Sequence, residues 1–232
     1  MKISILIPTF NNLSYLKFFL NSLKKNSLFE HEIIIHVNDG SDGTLDFVKK
    51  SNFKFTHSKE NIGLCSSMNN AYKLSTSDFL LYAHDDMYFC KNWDKYLIDE
   101  INKQKNNFYY LSGTNVSTRF GLINYNCGDA LENFDENKFL KFCIDDNTPD
   151  LQSSHWAPHL IHRELWDKIG GFSEEFNPGD GSDPDFCMKL WLENVRIFKG
   201  ISKFKVYHFN SLTTRNNKVT LNNGTKIFLL KY

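Results

Sequence analysis

Short apolar runs that end in polar turns recur along the first ninety or so residues. Ile3 to Pro8 (ISILIP) is apolar and β-branched with no alternation, the pattern of a strand buried on both faces. Pro8-Thr9-Phe10-Asn11-Asn12 breaks it. Leu13, Leu16, Leu20 and Leu23 then recur at helical spacing, with Asn11 or Asn12 placed to cap. Ile33 to Val37 predicts a second buried strand, running into the turn-rich Asn38-Asp39-Gly40-Ser41-Asp42-Gly43-Thr44. A short helix over 44–50, a strand at Phe53 to Thr56 and a helix through Cys65, Met68, Ala71 and Tyr72 follow. Phe79 to Ala83 is the fourth strand, and it ends abruptly in Asp85-Asp86.

Strands alternating with helices at this spacing predict βαβ units, right-handed crossovers and an α/β fold on a mostly parallel sheet. Parallel strands bring their C-terminal ends to one edge. Thr9, Asp39, Asn61 and the Asp85-Asp86 pair are therefore expected to border one crevice. Two hard carboxylates there suit Mg²⁺ or Mn²⁺, ions that commonly bridge to a diphosphate. A bare Asp pair also suits a helix cap, so the pair alone leaves both readings open.

The pattern weakens beyond the fourth strand. Trp93, Leu97 and Ile101 suit a helix and Tyr109 to Leu111 a strand, while 114–150 is rich in Asn and Asp and reads as loops and short helices. His155 to Ile161 looks extended, and Arg163 to Ile169 reads as a short helix stopped by Gly170-Gly171. Pro184 suits a first helical turn with Asp183 as its cap, and Phe186, Leu190 and Trp191 give that helix a buried side. Val195 to Phe198 and Phe204 to Phe209 read as two late strands, and Asn216 to Asn223 is expected to be mobile. No repeat or linker divides the chain, so 1–232 reads as one domain.

Composition narrows the partners. The 232 residues are 41% hydrophobic and 15% aromatic, which indicates a globular core. Lys+Arg and Asp+Glu number 27 each, so no net charge draws the chain to nucleic acid or an anionic membrane. Five scattered cysteines form no CxxC pair and read as reduced thiols of a cytoplasmic protein. The strand pattern starts at the N-terminus, so no leader is expected. No apolar run approaches the roughly 20 residues a membrane span needs. Peripheral membrane contact stays open, because Lys226 to Tyr232 suits packing on the core, pairing with a second subunit or touching a membrane. His155, His159 and His162 lack a Cys or acidic partner at zinc spacing, and in an extended segment His162 points away from the other two.

Five segments occur in a telling order: SILIPTFN, VNDGSDGT, NIGLCSSMNNAY, AHDDM and GGFSEEFNPGDGSDPDFCMKLW. In that order they resemble the opening strand, second-strand signature, Asn-x-Gly segment, metal-binding "DxD" and base-bearing Glu-Asp-x-Asp segment of the family 2 glycosyltransferases. Two positions depart from the pattern. Met68 stands where an Arg is often seen, and Ser182 stands at the Glu position. The resemblance spans about 1–95 and 155–210.

It implies a GT-A fold, with a Rossmann-like, mostly parallel sheet flanked by helices and a smaller mixed region on the acceptor side. It also implies transfer of a sugar, with inversion, from a nucleotide-sugar (UDP-sugar favoured) to a hydroxyl of a saccharide or glycoconjugate, assisted by Mn²⁺ or Mg²⁺. Residues 1–95 would bind the donor, 96–215 the acceptor, and 216–232 form a tail. Matched position by position, Pro8, Thr9, Asp39, Asn61, Gly63 and Asp85 would bind the donor. Asp86 and His208 would hold the metal, and Asp183 would be the general base with Asp180 and Asp185 as substitutes. His155, Trp156 and Asp185 would face the acceptor. Two other readings remain: a sugar nucleotidyltransferase, against which the absence of Lys or Arg in PTFNN argues, and a non-catalytic module that binds sugar-nucleotides or glycans.

Overall fold

The computed structural model describes residues 1–210, 220 and 222–232. Its strands are β1 (Ile3–Phe10), β2 (Glu32–Asn38), β3 (Lys54–Ser58), β4 (Phe79–Tyr82), β5 (Met87–Phe89), β6 (Tyr109–Ser117), β7 (Ile123–Asn124), β8 (Leu151–Gln152), β9 (His159–His162) and β10 (Ile197–His208). Its helices are α1 (Leu13–Asn26), α2 (Thr44–Lys49), α3 (Leu64–Tyr72), α4 (Trp93–Ile101), α5 (Glu136–Asp145), α6 (Arg163–Ile169), α7 (Ser182–Leu192) and α8 (Gly224–Lys231).

The strands form one sheet in the order β3-β2-β1-β4-β9-β6-β10-β5, with β7 beside β6 and β8 beside β10. The first four are all parallel. This matches the pattern that predicted them, since Ile3, Ile5, Leu6 and Ile7 are fully buried with no exposed alternate. The far side of the sheet is mixed. β9 runs antiparallel to both β4 and β6, and β10 is parallel to β6 and antiparallel to β5. The fold is the α/β arrangement expected.

Three local expectations change. β1 continues through Pro8 to Phe10 instead of breaking at Pro8. The β1–β4 ladder ends at Leu6 opposite Tyr82, so the N–H that Pro8 lacks would have faced a strand that has already ended. The two late strands are one, β10, whose register against β6 slips between Gly200 and Lys205. The segment from His155 is extended only from His159 onward. Most of the Asn216 to Asn223 stretch, expected to be mobile, lies outside the described residues.

The strand ends converge as parallel topology requires. β2 and β4 flank β1 on opposite sides, so the chain reverses direction across the sheet at β1 and leaves a crevice beyond its C-terminal end. β10 brings a residue to the same edge from the mixed half. His208 pairs with Met87, the residue directly after the Asp pair.

Candidate active site

The two aspartates after β4 lie in the turn that leads into β5, and their carboxylates take different partners. Asp85 turns toward the loop after β1. The Thr9 hydroxyl donates to its Oδ2 at 2.6 Å and the Asn12 amide to its Oδ1 at 3.0 Å. Burial, and then the charge of Asp86, push the Asp85 carboxyl up to about 7. Asp86 turns the other way. Its Oδ1 lies 3.0 Å from His208 Nε2 and 4.0 Å from His84 Nδ1. Burial opposes ionisation of Asp86, but the charge and hydrogen bond of His208, helped by His84, hold it below the usual carboxylate range.

His84 is the residue the sequence reading missed. Its Nδ1 lies 3.3 Å from His208 Nε2, and the ligand atoms of His84, Asp86 and His208 fall within 4.8 Å of one another. Tyr82 Oη, 2.6 Å from His84 Nε2, can accept that nitrogen's proton and so leave Nδ1 free to bind an ion. Burial, with His208 alongside, lowers the His84 pKa to about 4 and keeps the ring neutral, the form that ligates. Two imidazoles and a carboxylate fit a divalent ion of the Mn²⁺ type. The signal was present in the sequence. His84 stands two residues before Asp86, a histidine beside an acidic pair at a strand end.

Adjacent amides tie the strand-end carboxylates Asp39 and Asp85 together. Asn12 holds Asp85, while Asn11 donates to Asp39 Oδ2 at 2.8 Å and accepts from the Gly40 N–H at 2.9 Å. Asn12 occupies the N-cap position of α1, as expected of one of the two, but its side chain makes no capping bond. Asp39 also closes its own turn, accepting from Ser41 N–H at 3.2 Å. The Asn11 bond, with Ser41, lowers its pKa and keeps it ionised beside a cleft bordered by Gly40, Ser41, His57 and Lys59. Pro8 is half-buried within β1, and Thr9 acts through Asp85.

Asn61 and Gly63 border a second cleft with Phe10, Ile62, Asn177 and Pro178. Asn61 is exposed and accepts from the Gly63 N–H at 3.0 Å. What approaches Gly63 most closely is Asn177, whose Oδ1 would lie 2.3 Å from an added Cβ. Asn177 accepts from Cys65 N–H at 3.0 Å and donates to Ser66 Oγ at 2.7 Å, so it caps α3 from more than a hundred residues away. Gly63 also has φ +85°, so Gly63→Ala is expected to destabilise the fold by about 1–3 kcal/mol. A shift of the denaturant midpoint measures it, and an unchanged midpoint would contradict the packing described.

Asp183 lies in the first turn of α7. Gly181, at φ +81°, is the N-cap, and Asp183 makes no capping bond, so the cap role expected for it is not the one it plays. Its Oδ1 is buried with no hydrogen-bond partner. Burial raises its pKa to about 7, and His208 partly offsets the rise. A carboxylate that is desolvated and unpaired on one oxygen can take a proton from a hydroxyl near neutral pH.

Asp183 lines a cavity of about 300 Å³ with His155, Trp156, Gly179, Asp180, Gly181, Pro184, Thr225, Phe228 and Leu229. Trp156 is 44% exposed there, and His155 is exposed beside it with their rings 5.0 Å apart. Asp185, expected to face the acceptor, does not. It is fully buried, with Oδ1 held by Lys231 at 2.7 Å and by the Tyr232 hydroxyl at 2.9 Å. His159 is buried between Tyr110 and Phe186, and His155, His159 and His162 form no metal cluster among the described residues.

A family model, "Glycosyl transferase family 2", matches residues 4–170. The chain belongs to that family. The match takes in the Asp85-Asp86 pair and stops short of Asp183 and His208. Over 97 residues the chain is 33% identical to the "Uncharacterized glycosyltransferase YfnE" of Bacillus subtilis (strain 168), a span of 40% of this chain and 25% of that protein. Among solved structures it is similar to S. aureus TarS 1-349 in complex with UDP-GlcNAc, with TM-score 0.66 at 21% identity over 91% of this chain and 61% of that one. It is also similar to GalNAc-T7 with UDP, GalNAc and Mn²⁺, with TM-score 0.68 at 15% identity over 97% of this chain and 45% of that one. The chain thus spans a quarter to three-fifths of these relatives, and the two structures share its glycosyltransferase GT-A fold.

Proposed function

We propose that this family 2 chain is an inverting, metal-dependent glycosyltransferase that moves a sugar from a UDP-sugar to a hydroxyl of a saccharide or glycoconjugate. The observation that carries the reading is one juxtaposition. The His84-Asp86-His208 cluster stands at the sheet edge with Asp85, and the unpaired buried oxygen of Asp183 lies close enough to feel His208. The UDP-containing TarS and GalNAc-T7 structures support a UDP-linked donor.

His84, Asp86 and His208 would hold the ion, and two imidazole donors favour Mn²⁺ over Mg²⁺. When bound, a divalent ion supplies positive charge where the diphosphate leaving group gains negative charge. Asp85, fixed by Thr9 and Asn12, would face the ribose. Asp39, held ionised by Asn11, would accept from the base edge. Pro8, Asn61 and Gly63 would border the nucleotide. Asp183 would take the proton of the acceptor hydroxyl as that oxygen attacks the anomeric carbon from the side opposite the diphosphate. One displacement with a base and no covalent sugar–enzyme bond inverts the anomeric centre. His155 and Trp156 would contact the acceptor.

In this reading 1–95 is the donor side, 96–215 the acceptor side, and the last helix of the 216–232 tail joins the acceptor side, all within one domain. No helix among the described residues is long and apolar enough to cross a membrane. All five cysteines are free thiols, which supports a cytoplasmic, reducing setting.

The rate of transfer tests the base directly. Asp183 must be ionised to act, so transfer is expected to rise with pH and level off above the Asp183 pKa. A bound cation favours the carboxylate, which sets the midpoint at or below about 7. Transfer to an acceptor, followed as UDP release at saturating Mn²⁺, should fall about tenfold per pH unit on the acid side. A rate with no acid limb would remove Asp183 from the base role.

A further inference from the structure

The candidate base sits between two other carboxylates, and each of them fastens one end of the last helix. At the start of α8, Asp180 Oδ2 accepts from the Gly224 N–H at 2.9 Å, and the Asn222 amide donates to the Asp180 carbonyl at 3.1 Å. Gly224 lies so close that a Cβ there would meet the Asp180 carbonyl oxygen at 2.0 Å. At the other end, buried Asp185 binds Lys231 and Tyr232, and Lys231 also pairs with Glu175 at 2.7 Å and lies over the Phe176 ring at 5.3 Å. Asp180 and Asp185 thus each bind α8, and Asp183 is the one of the three not tied to that helix, although Asp185 Oδ2, like Asp183 Oδ1, is buried without a hydrogen bond. The helix so fastened presents Thr225, Phe228 and Leu229 to the cavity that holds Asp183 and Trp156.

We propose that α8 is the outer wall of the acceptor site, that Phe228 together with Trp156 binds the face of a hexopyranoside, and that Asp180 and Asp185 are positioning residues for that wall. The proposal rests on the glycosyltransferase reading and adds to it the class of acceptor and the residues that select it. This cavity gives a hydroxyl a way to Asp183. At about 300 Å³ the cavity is at the small end of ligand sites, which suits a terminal sugar and not a polymer cross-section. A pyranose offers aromatic rings an apolar C–H face and keeps its hydroxyls at its edge, and Asp183, Thr225 and His155 are the polar side chains that line the same cavity with Asp180. Phe228 is braced by the Tyr232 ring at 5.0 Å, which links the Asp185 fastening to the wall it holds.

The test uses the whole chain with Mn²⁺ and UDP, and methyl hexopyranosides of both anomers as probes. Saturation-transfer NMR reads glycoside binding, and calorimetry reads UDP binding. At least one glycoside is expected to bind the native chain. Phe228→Ala should weaken it by about tenfold, Phe228→Tyr should retain it, and UDP binding should be equal in all three. Lys231→Ala should weaken the glycoside in the same way and speed hydrogen exchange across 224–231, again with UDP binding unchanged. If UDP binds and no glycoside does, or if Phe228→Ala binds the glycoside normally, the proposal is overturned. If UDP fails to bind while Phe228-dependent glycoside binding persists, the donor reading falls and the acceptor wall stands.

Discussion

Asp183→Asn is expected to lower sugar transfer by about 10²–10⁴-fold, the usual contribution of a positioned general base. UDP binding should not change, because Asp183 makes no hydrogen bond to Asp85 or Asp39, whose partners are Thr9, Asn12, Asn11 and Ser41. The substitution should leave the fold at least as stable as before. Burial raises the Asp183 pKa from 3.8 to about 7, so the folded chain holds a proton there more tightly than the unfolded chain. That contribution is fully present below about 4 and is lost as pH rises toward 7. At pH 8 the native protein carries the whole cost of a desolvated carboxylate, and asparagine removes the charge. A melting temperature at pH 8 equal to or above that of the native chain, with transfer lost, separates catalysis from folding. Normal turnover in Asp183→Asn would end the base assignment.

The second large effect concerns the ion. His84→Ala, Asp86→Ala and His208→Ala each remove one ligand from a cluster whose ligand atoms lie within 4.8 Å. Loss of a ligand should weaken Mn²⁺ at least as much as loss of an outer partner does, by about 10–100-fold or more, with transfer at fixed Mn²⁺ falling in step. His84→Ala discriminates most sharply. Without His84 as a ligand, the substitution would remove only its contacts with Tyr82, His208 and Asp86, and Mn²⁺ binding would stay near normal. With it, Mn²⁺ in excess should restore part of the activity, since Asp86 and His208 remain. Calorimetric titration of Mn²⁺ into each variant measures the loss, and an unchanged affinity in His84→Ala would reduce the cluster to Asp86 and His208.

Much of this arrangement can be read along the chain because parallel strands make one edge out of many ends. The apolar runs of β1, β2 and β4 and the polar residues just after them were enough to group Thr9, Asp39 and Asp85-Asp86. The division between Asp85 and Asp86 has no such signal, because the pair lies in a turn that strand alternation does not reach. Other features have no local signal. Asn177 caps α3 from across the molecule, and nothing in Glu175-Phe176-Asn177-Pro178 marks it. Asp183, Asp180 and Asp185 looked interchangeable because capping, fastening and catalysis all use aspartate at a helix start. The structure separates them by partner: Asp180 and Asp185 bind the last helix, and Asp183 does not. The last helix was equally hidden, since Lys226-Ile227-Phe228-Leu229-Leu230-Lys231 has no single apolar stripe, and Leu229 and Leu230 remain largely exposed. Its place is set by Gly224, Lys231 and Tyr232, each bonded to a carboxylate more than forty residues earlier.

The central claim is that the strand-end carboxylates and histidines bind a nucleoside diphosphate through a divalent ion. Calorimetric titration of UDP into the native chain, first with Mn²⁺ and then with EDTA, tests it most directly. UDP is expected to bind with Mn²⁺, to lose that binding in EDTA, and to bind weakly to Asp86→Ala in either condition. Equal UDP binding with Mn²⁺ and EDTA, or none in either, would contradict the account.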